Sequence, residues 1–311
     1  MPQDTLKLIT LIGPTAVGKT DIALRLAQEF DGEIVSADSR QIYRGMDIAT
    51  AKPTREEQAR VRHNLIDVVN PDEEFTLADY QSRAYAAIAD IFARGKQPLL
   101  VGGTGLYVRA VVEGLNIPRV PPNRARRQEL EREPAAELHA RLMQVDPIAA
   151  ESILPNNTRR IIRALEVIEA TGIPISQQQT REPPPFPIIQ IGLTLPREQL
   201  YQRVDARIER MLEQGLVDEV RGLVRRYAPR GYAFDLPAMS GLGYGEMGRY
   251  ARGEISLEEA IRLLKSNTRK FIRHQSNWFR LNDPRIHWFD LSWQQYGDVR
   301  NFVAIVLREA R

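Results

Sequence analysis

The chain has no cysteine anywhere in its 311 residues, which excludes disulfides and thiolate-ligated zinc. Histidine is almost as scarce, with four scattered residues that make a metal cage a poor expectation. No apolar run approaches the length of a membrane span, so no membrane is expected among its partners. The opening residues Met1-Pro2-Gln3-Asp4 carry no basic and apolar leader, and a cytoplasmic protein is the natural reading. Neither sign of charge dominates: a net charge of +3 is too small by itself to demand a nucleic acid. What remains is the composition of a soluble globular protein, 43% hydrophobic and 27% charged, long enough for two domains or one large domain with an insertion.

The most informative stretch that is present is Gly13-Pro14-Thr15-Ala16-Val17-Gly18-Lys19-Thr20, which fits the phosphate-cradling pattern G-x-x-x-x-G-K-[ST]. Its context is right. Leu8–Ile12 reads as a buried strand, and Ile22, Leu26 and Phe30 recur every four residues as the inner face of a helix. Two glycines let the backbone turn its N–H groups onto a phosphate, and the helix N-terminus adds a favourable dipole. Lys19 supplies a point charge and the Thr20 hydroxyl can hold Mg²⁺. The pattern does not say which phosphate is held, or what happens to it.

A second strand, Glu33–Ala37, leads into Asp38-Ser39-Arg40-Gln41-Ile42-Tyr43. Ligands of open parallel sheets bind beyond the carboxyl ends of the strands, so Asp38 should project into the crevice of the phosphate loop. Residues 44–75 read as irregular, with His63–Val69 a further strand and His63 structural. Thr76-Leu77-Ala78-Asp79 is a capping box opening a helix whose inner stripe is Ala84, Ile88 and Ile91 and which Gly95 ends. Pro98–Val101 is another buried strand, running into Gly102-Gly103-Thr104-Gly105-Leu106-Tyr107. Three glycines in four residues imply either close backbone approach to a ligand or a tight strand-to-helix turn. Many phosphate-loop NTPases carry an acidic Mg²⁺ ligand at such a strand end. Its absence here weakens the case for a conventional ATPase and leaves Asp38 for another task.

The composition then shifts. Residues 116–187 read as a helical insertion with arginines at 124, 126, 127, 132 and 141. Asn156-Asn157-Thr158 offers N-caps to a helix holding Arg159, Arg160 and Arg163 on one face and Ile161, Ile162 and Leu165 on the other. After the stiff Glu182–Pro187 linker the chain returns to a strand at 188–195. A helix follows with Leu200, Val204, Ile208 and Met211 inward. Arg203 and Arg207 on that helix are candidates to bring a guanidinium onto a leaving phosphate. Ser256-Leu257-Glu258-Glu259 is a second capping box, opening a helix with no acidic residue between Ile261 and Asn282. Arg262, Lys265, Arg269 and Arg273 fall on one face of it, which suits a phosphate backbone. Arg285–Phe289 resembles a strand, and Phe302, Ile305 and Val306 mark a last amphipathic helix.

Together these segments resemble the bacterial tRNA dimethylallyltransferases, over nearly the whole chain. The resemblance rests on the phosphate loop, on Asp38–Tyr43, on Gly102–Tyr107 and on Pro155–Val167. It rests also on Arg203-Val204-Asp205-Ala206-Arg207 and on Thr268-Arg269 through Trp278-Phe279-Arg280. It implies an α/β fold, a P-loop NTPase-like parallel sheet flanked by helices, with an inserted helical domain and a helical C-terminal part. The boundaries expected are 1–115, 116–187 and 188–311. It implies transfer of a dimethylallyl group to N6 of adenine 37, in tRNAs reading codons that begin with U. Dimethylallyl diphosphate, rather than ATP, would lie in the loop at Thr15–Thr20 with Mg²⁺ and Arg207, and Asp38 would be the base at N6. Ser39, Arg40, Gln41, Thr104, Arg126 and Arg159–Arg163 would touch tRNA, joined by Arg269 and Arg273. The expected partner is the anticodon stem-loop with A36-A37-A38, and the expected state a monomer. The chain departs from the family at His63-Asn64, where two histidines are frequent, at Asn157, where an aspartate is, and at Gly245, where some members are basic. Lacking cysteine, it is not expected to carry a zinc-finger tail of the eukaryotic kind. Two rivals stay open: a small-molecule kinase or an isopentenyltransferase acting on free adenine nucleotides, and a nucleotide-gated RNA-binding protein without catalysis.

Overall fold

The computed structural model describes residues 6–231 and 236–308, so Met1-Pro2-Gln3-Asp4 lies outside the described residues. Six strands form one sheet: β1 (Leu8–Ile12), β2 (Gly32–Ser36), β3 (His63–Asn64), β4 (Gln97–Gly102), β5 (Ile188–Thr194) and β6 (Ile286–Asp290). Their order is β3-β2-β4-β1-β5-β6 and every pairing is parallel. The sequence of β1 explains its place. All five residues are buried, as a central strand covered on both faces requires. Ile12 is in register with Gly102 on one side and Gly192 on the other. Because all strands run the same way, Gly13, Ala37 and Gly103 leave the sheet at one edge, where β1 has a neighbour on each side.

The helices, in chain order, are α1 (Lys19–Glu29), α2 (Arg55–Arg60), α3 (Leu77–Ala93), α4 (Gly105–Val112), α5 (Arg124–Leu130), α6 (Ala135–Val145), α7 (Pro147–Ser152), α8 (Thr158–Thr171), α9 (Ile175–Gln178), α10 (Arg197–Glu213), α11 (Leu216–Tyr227), α12 (Tyr244–Ala251), α13 (Leu257–Trp278) and α14 (Tyr296–Arg308). Contacts divide the chain into two compact units. One holds the residues up to Phe75, Tyr80–Val108 and everything from Pro185 on; the other holds Thr76–Asp79 and Arg109–Pro184. Among the described residues no helix is long and apolar enough to cross a membrane.

In the first unit the sheet packs against α1 through Ile22 and Leu26, and against α10 through Leu200, Val204, Ile208 and Met211. Those are the stripes expected from the sequence. The second unit has its own small core, in which Leu130, Leu138, Leu142, Ile161, Leu165 and Ile175 meet. Two buried carboxylates organise its polar connections. Asp146 accepts from the Ala149 amide at 3.0 Å and from the Ser176 amide and hydroxyl at 2.8 and 2.7 Å. Glu166 takes the Asn123 amide at 2.6 Å and the guanidinium groups of Arg127 and Arg163.

Four local expectations change. The strand expected at 63–69 is only two residues long, because Leu65 and Asp67 adopt positive φ of 64° and 55° and turn the chain out of the sheet. Beyond that turn, Val68 and Val69 bond to Ile42 past the end of β2. The supposedly irregular 44–75 region contains α2, whose capping box joins Thr54 and Glu57. It buries no residue, so no apolar period announced it. At Ser256 only half of a capping box forms: the hydroxyl takes the Glu259 amide at 3.1 Å, while the Glu259 carboxylate turns to Arg262 at 2.7 Å. In α14 the buried stripe is Val299, Val303 and Val306, and Ile305 is exposed.

Candidate active site

The carboxyl ends of β1, β2 and β4 open into a cleft of about 930 Å³ in the first unit. Five of the eight phosphate-loop residues line it: Thr15, Ala16, Gly18, Lys19 and Thr20. The other three shape it from behind. Gly13, at φ 150°, leaves no room for a Cβ, which would run into the Leu193 carbonyl. Pro14 faces a separate, smaller pocket, and Val17 is fully buried, so it can offer a ligand only its backbone. α1 starts at Lys19 behind a left-handed Gly18, with no side-chain cap, so its first amide groups remain available to an anion.

Lys19 donates to the Gly13 and Pro14 carbonyls at 2.9 and 2.8 Å. Burial pulls its ammonium down to about 7, and the like charge of Arg207 adds to this, while Asp38 opposes it. Arg207 is likewise held below the ordinary guanidinium range by burial, again opposed by Asp38. Its Nη1 reaches the Thr15 hydroxyl at 3.3 Å, and Arg203 Nη1 reaches the Val17 carbonyl at 3.2 Å. Both arginines expected at a leaving phosphate therefore meet the loop.

Asp38 lines the same cleft. Its Oδ1 accepts the Arg40 amide at 2.8 Å, which fixes the carboxylate, and Oδ2 has no hydrogen-bond partner among the described residues. Behind it the strand end is braced by Tyr80, whose buried hydroxyl donates to the Ser36 carbonyl at 3.1 Å and whose ring stacks on Tyr107. Ser39 gives its amide to Thr104 Oγ1 at 3.1 Å. Gln41 accepts from Ser36 Oγ at 3.0 Å. Arg40 bonds Ser240 Oγ at 3.2 Å. All four of Ser39, Arg40, Gln41 and Thr104 line the cleft with Asp38. His63 does too; its Nδ1 lies 2.8 Å from the Val61 carbonyl and its Nε2 is buried without a partner.

Other expected contacts fare differently. Ile161 and Ile162 are 0% and 3% exposed in the core of the second unit, so their side chains cannot touch an RNA. They form the apolar half of an amphipathic helix whose other half is Arg159 and Arg160, both exposed and without an ion pair among the described residues. Arg126 is engaged by Glu169 and Glu129, at 2.8 and 3.1 Å, and Arg163 by Glu166 at 2.6 Å. On α13 the single-signed face is largely neutralised. Arg262 pairs with Glu259, Lys265 with Glu209 and Arg269 with Asp205, while Arg273 donates to the Tyr201 hydroxyl. Three of those four partners sit on α10, which is why a reading of α13 alone showed an uncompensated charge.

Two groups escaped the sequence reading. Gln275 sits on the apolar stripe of α13, between Ile272 and Phe279, is 3% exposed, and reaches the phosphate loop. A polar residue in that stripe was the available signal. Glu219 accepts the Asp47 and Ile48 amides at 3.0 Å and the Tyr244 hydroxyl at 2.6 Å, fixing the 47–51 turn whose later residues line the cleft. It left no pattern in sequence. The glycines at the end of β4, two of which line the cleft, are also required by their neighbours in the protein. Added Cβ atoms would strike the Ala37 carbonyl at Gly102, the Gln275 carboxamide at Gly103 and the Trp278 ring at Gly105.

Residues 41–282 match the family model described as IPP transferase. The chain belongs to that family. It is 60% identical over 277 residues to a tRNA dimethylallyltransferase of Roseiflexus castenholzii, covering 88% of this chain and 89% of that one. Among solved structures it is similar to a full-length tRNA isopentenylpyrophosphate transferase from Bacillus halodurans. That match has a TM-score of 0.71 and 42% identity, and covers 98% of this chain and 97% of the other. A eukaryotic dimethylallyltransferase acting on tRNA superposes with a TM-score of 0.82 at 28% identity, over 96% of this chain and 78% of that one. As a member of the IPP transferase family the chain has a P-loop NTPase-like fold, here the six-stranded parallel sheet with its helices.

Proposed function

We propose that the cleft transfers the dimethylallyl group of dimethylallyl diphosphate to N6 of adenine 37 in tRNAs reading codons that begin with U. The observation that carries this is the shared cleft itself. A fixed carboxylate, Asp38, and an anion cradle with Lys19 and Arg207 line one volume large enough for both reactants. In the reaction the allylic C1–O bond breaks and its electron pair leaves with diphosphate. The first amide groups of α1, Lys19 and Arg207 lie at the cleft and would stabilise the charge that grows there, which is where preorganised donors contribute most. The N6 lone pair, poor because it is delocalised into the ring, forms the new C–N bond. Asp38 orients the amine and accepts its proton.

The donor set suits Mg²⁺ in one particular way. Among the described residues no group of three or more acidic, cysteine or histidine side chains is placed to hold a metal ion, so Mg²⁺ would be held here by the Thr20 hydroxyl, which lines the cleft, with substrate oxygens completing its shell. It would supply further neutralisation of the leaving group.

Adenine must leave its stack to enter the cleft, which costs a few kcal/mol and less in a loop than in a duplex. The anticodon stem-loop with A36-A37-A38 is the partner we assign, bound by a cytoplasmic monomer. Exposed Arg159 and Arg160 are the groups best placed on their own helix to meet phosphates. The test is incubation with dimethylallyl diphosphate, Mg²⁺ and unmodified tRNA carrying A36-A37-A38, read by nucleoside mass spectrometry. N6-dimethylallyladenosine at position 37 is expected; unmodified adenosine would contradict the assignment. Because Arg262, Lys265 and Arg269 of α13 are paired with carboxylates, free AMP is a second acceptor to weigh, and AMP in competition with tRNA should leave tRNA prenylation unchanged.

A further inference from the structure

We infer that Gln275 is a positioning residue that sets the phosphate loop for the diphosphate. It rests on the diphosphate reading of the cleft given above. The Gln275 carboxamide spans two elements. Its Oε1 accepts the Thr15 amide at 2.9 Å and its Nε2 donates to the Gly103 carbonyl at 3.0 Å. At 3% exposure it makes these bonds away from bulk water, and it also lines the wall of the cleft. The two bonds have opposite polarity, so a group at this site must accept at one end and donate at the other. Among side chains of this length only a carboxamide, or a protonated carboxyl group, does so.

Thr15 is gripped from both ends. Gln275 holds its backbone amide while Arg207 meets its hydroxyl at 3.3 Å. Release of the amide would free the loop to reorient against Arg207 and leave the buried Gly103 acceptor unmet. Gly103 fits the same design, because any side chain there would displace the carboxamide. Through Gln275 the loop that grips the diphosphate is bonded directly to α13, whose other face carries exposed Lys270 and Arg273.

The test uses the full chain with Gln275→Met, which keeps length without the two bonds, and Gln275→Glu. Steady-state rates with dimethylallyl diphosphate and tRNA varied separately should show KM for the diphosphate raised by about tenfold in Gln275→Met. The tRNA KM should stay within about twofold. Gln275→Glu supplies the discriminating readout. Protonated, the carboxyl group reproduces both bonds; ionised, it keeps the Thr15 amide but repels the Gly103 carbonyl and the incoming diphosphate, and it competes with that diphosphate for the Lys19 ammonium, which also lies against Gly103. Its activity relative to the unsubstituted protein should therefore recover as pH falls. Affinity for inorganic pyrophosphate, measured by calorimetry, should follow the same order. Unchanged diphosphate KM and pyrophosphate affinity in Gln275→Met, or a pH-independent loss in Gln275→Glu, would overturn the inference. Failure of the unsubstituted protein to form any dimethylallyl product would instead remove the functional reading, and the pyrophosphate series would still decide the role of Gln275.

Discussion

The cationic residues of α10 and of α13 look interchangeable as letters, yet the fold uses them in opposite ways. Arg203 and Arg207 on α10 meet a carbonyl and a hydroxyl of the phosphate loop, neutral partners, and no carboxylate pairs with either directly, although Asp38 acts on Arg207 through space. Arg262, Lys265 and Arg269 on α13 meet carboxylates, two of them carried by α10 itself. Arg269 also lies over the Tyr201 ring, and its pair leaves one Asp205 oxygen buried without a partner. Free guanidinium groups are anion receptors; paired ones are fasteners between helices. Position on a helix tells them apart only when the facing helix is known.

The sharpest way to break this contrast is to remove charge at the loop. Lys19→Met should lower turnover by about 10²- to 10³-fold, as loss of a preorganised donor does. Arg207→Ala should cost about 10²-fold, and Arg203→Ala, more exposed and bonded only to a backbone carbonyl, about tenfold. Single-turnover rates at saturating tRNA decide both, and equal losses would dissolve the distinction between the two arginines. At the other extreme, Arg269→Ala should act on stability. With both partners more than a third exposed, about 1 kcal/mol is expected, or roughly 2 °C in Tm. The salt dependence of tRNA binding should not change. A salt slope reduced by about 1 would instead make Arg269 a phosphate contact.

A subtler test uses the proton on Lys19. Burial lowers its pKa to about 7, so above that pH the group is mostly neutral. A bound diphosphate favours the ammonium, and binding at pH 8 should therefore take up close to one proton. Calorimetry in buffers of different ionisation enthalpy measures this, and the affinity should fall as pH rises above 7. Lys19→Met should abolish the uptake. The smallest effects are expected in the second unit. Arg160→Ala should reduce the salt slope of tRNA binding by about 1, whereas Arg126→Ala, engaged by two glutamates, should leave it unchanged.

The parts of this site that were legible in sequence are those built from one continuous segment. Gly13–Thr20 announces its loop because two glycines and a lysine must fall at fixed spacing, and Asp38 follows from the rule about strand ends. The stripes of α3 and α10 follow from period alone, as do Ile22 and Leu26 of α1, whereas Phe30 caps that helix and is only half-buried. What could not be read depends on residues far apart in the chain. Asp205 and Glu209 neutralise α13 from some 60 positions away, Glu219 fixes the turn at 47–48, and Gln275 reaches Thr15 from 260 residues away. Ile161 and Ile162 show a different limit: a helix turns about once every 3.6 residues, so a contiguous five-residue motif cannot lie on one surface.

The account stands on Asp38 acting at the amine while the loop holds the leaving group, and Asp38→Ala addresses that directly. With enzyme and dimethylallyl diphosphate in excess over tRNA, the single-turnover rate should drop by about 10²-fold or more. The tRNA Kd should remain within about threefold. A rate equal to that of the unsubstituted protein would contradict it.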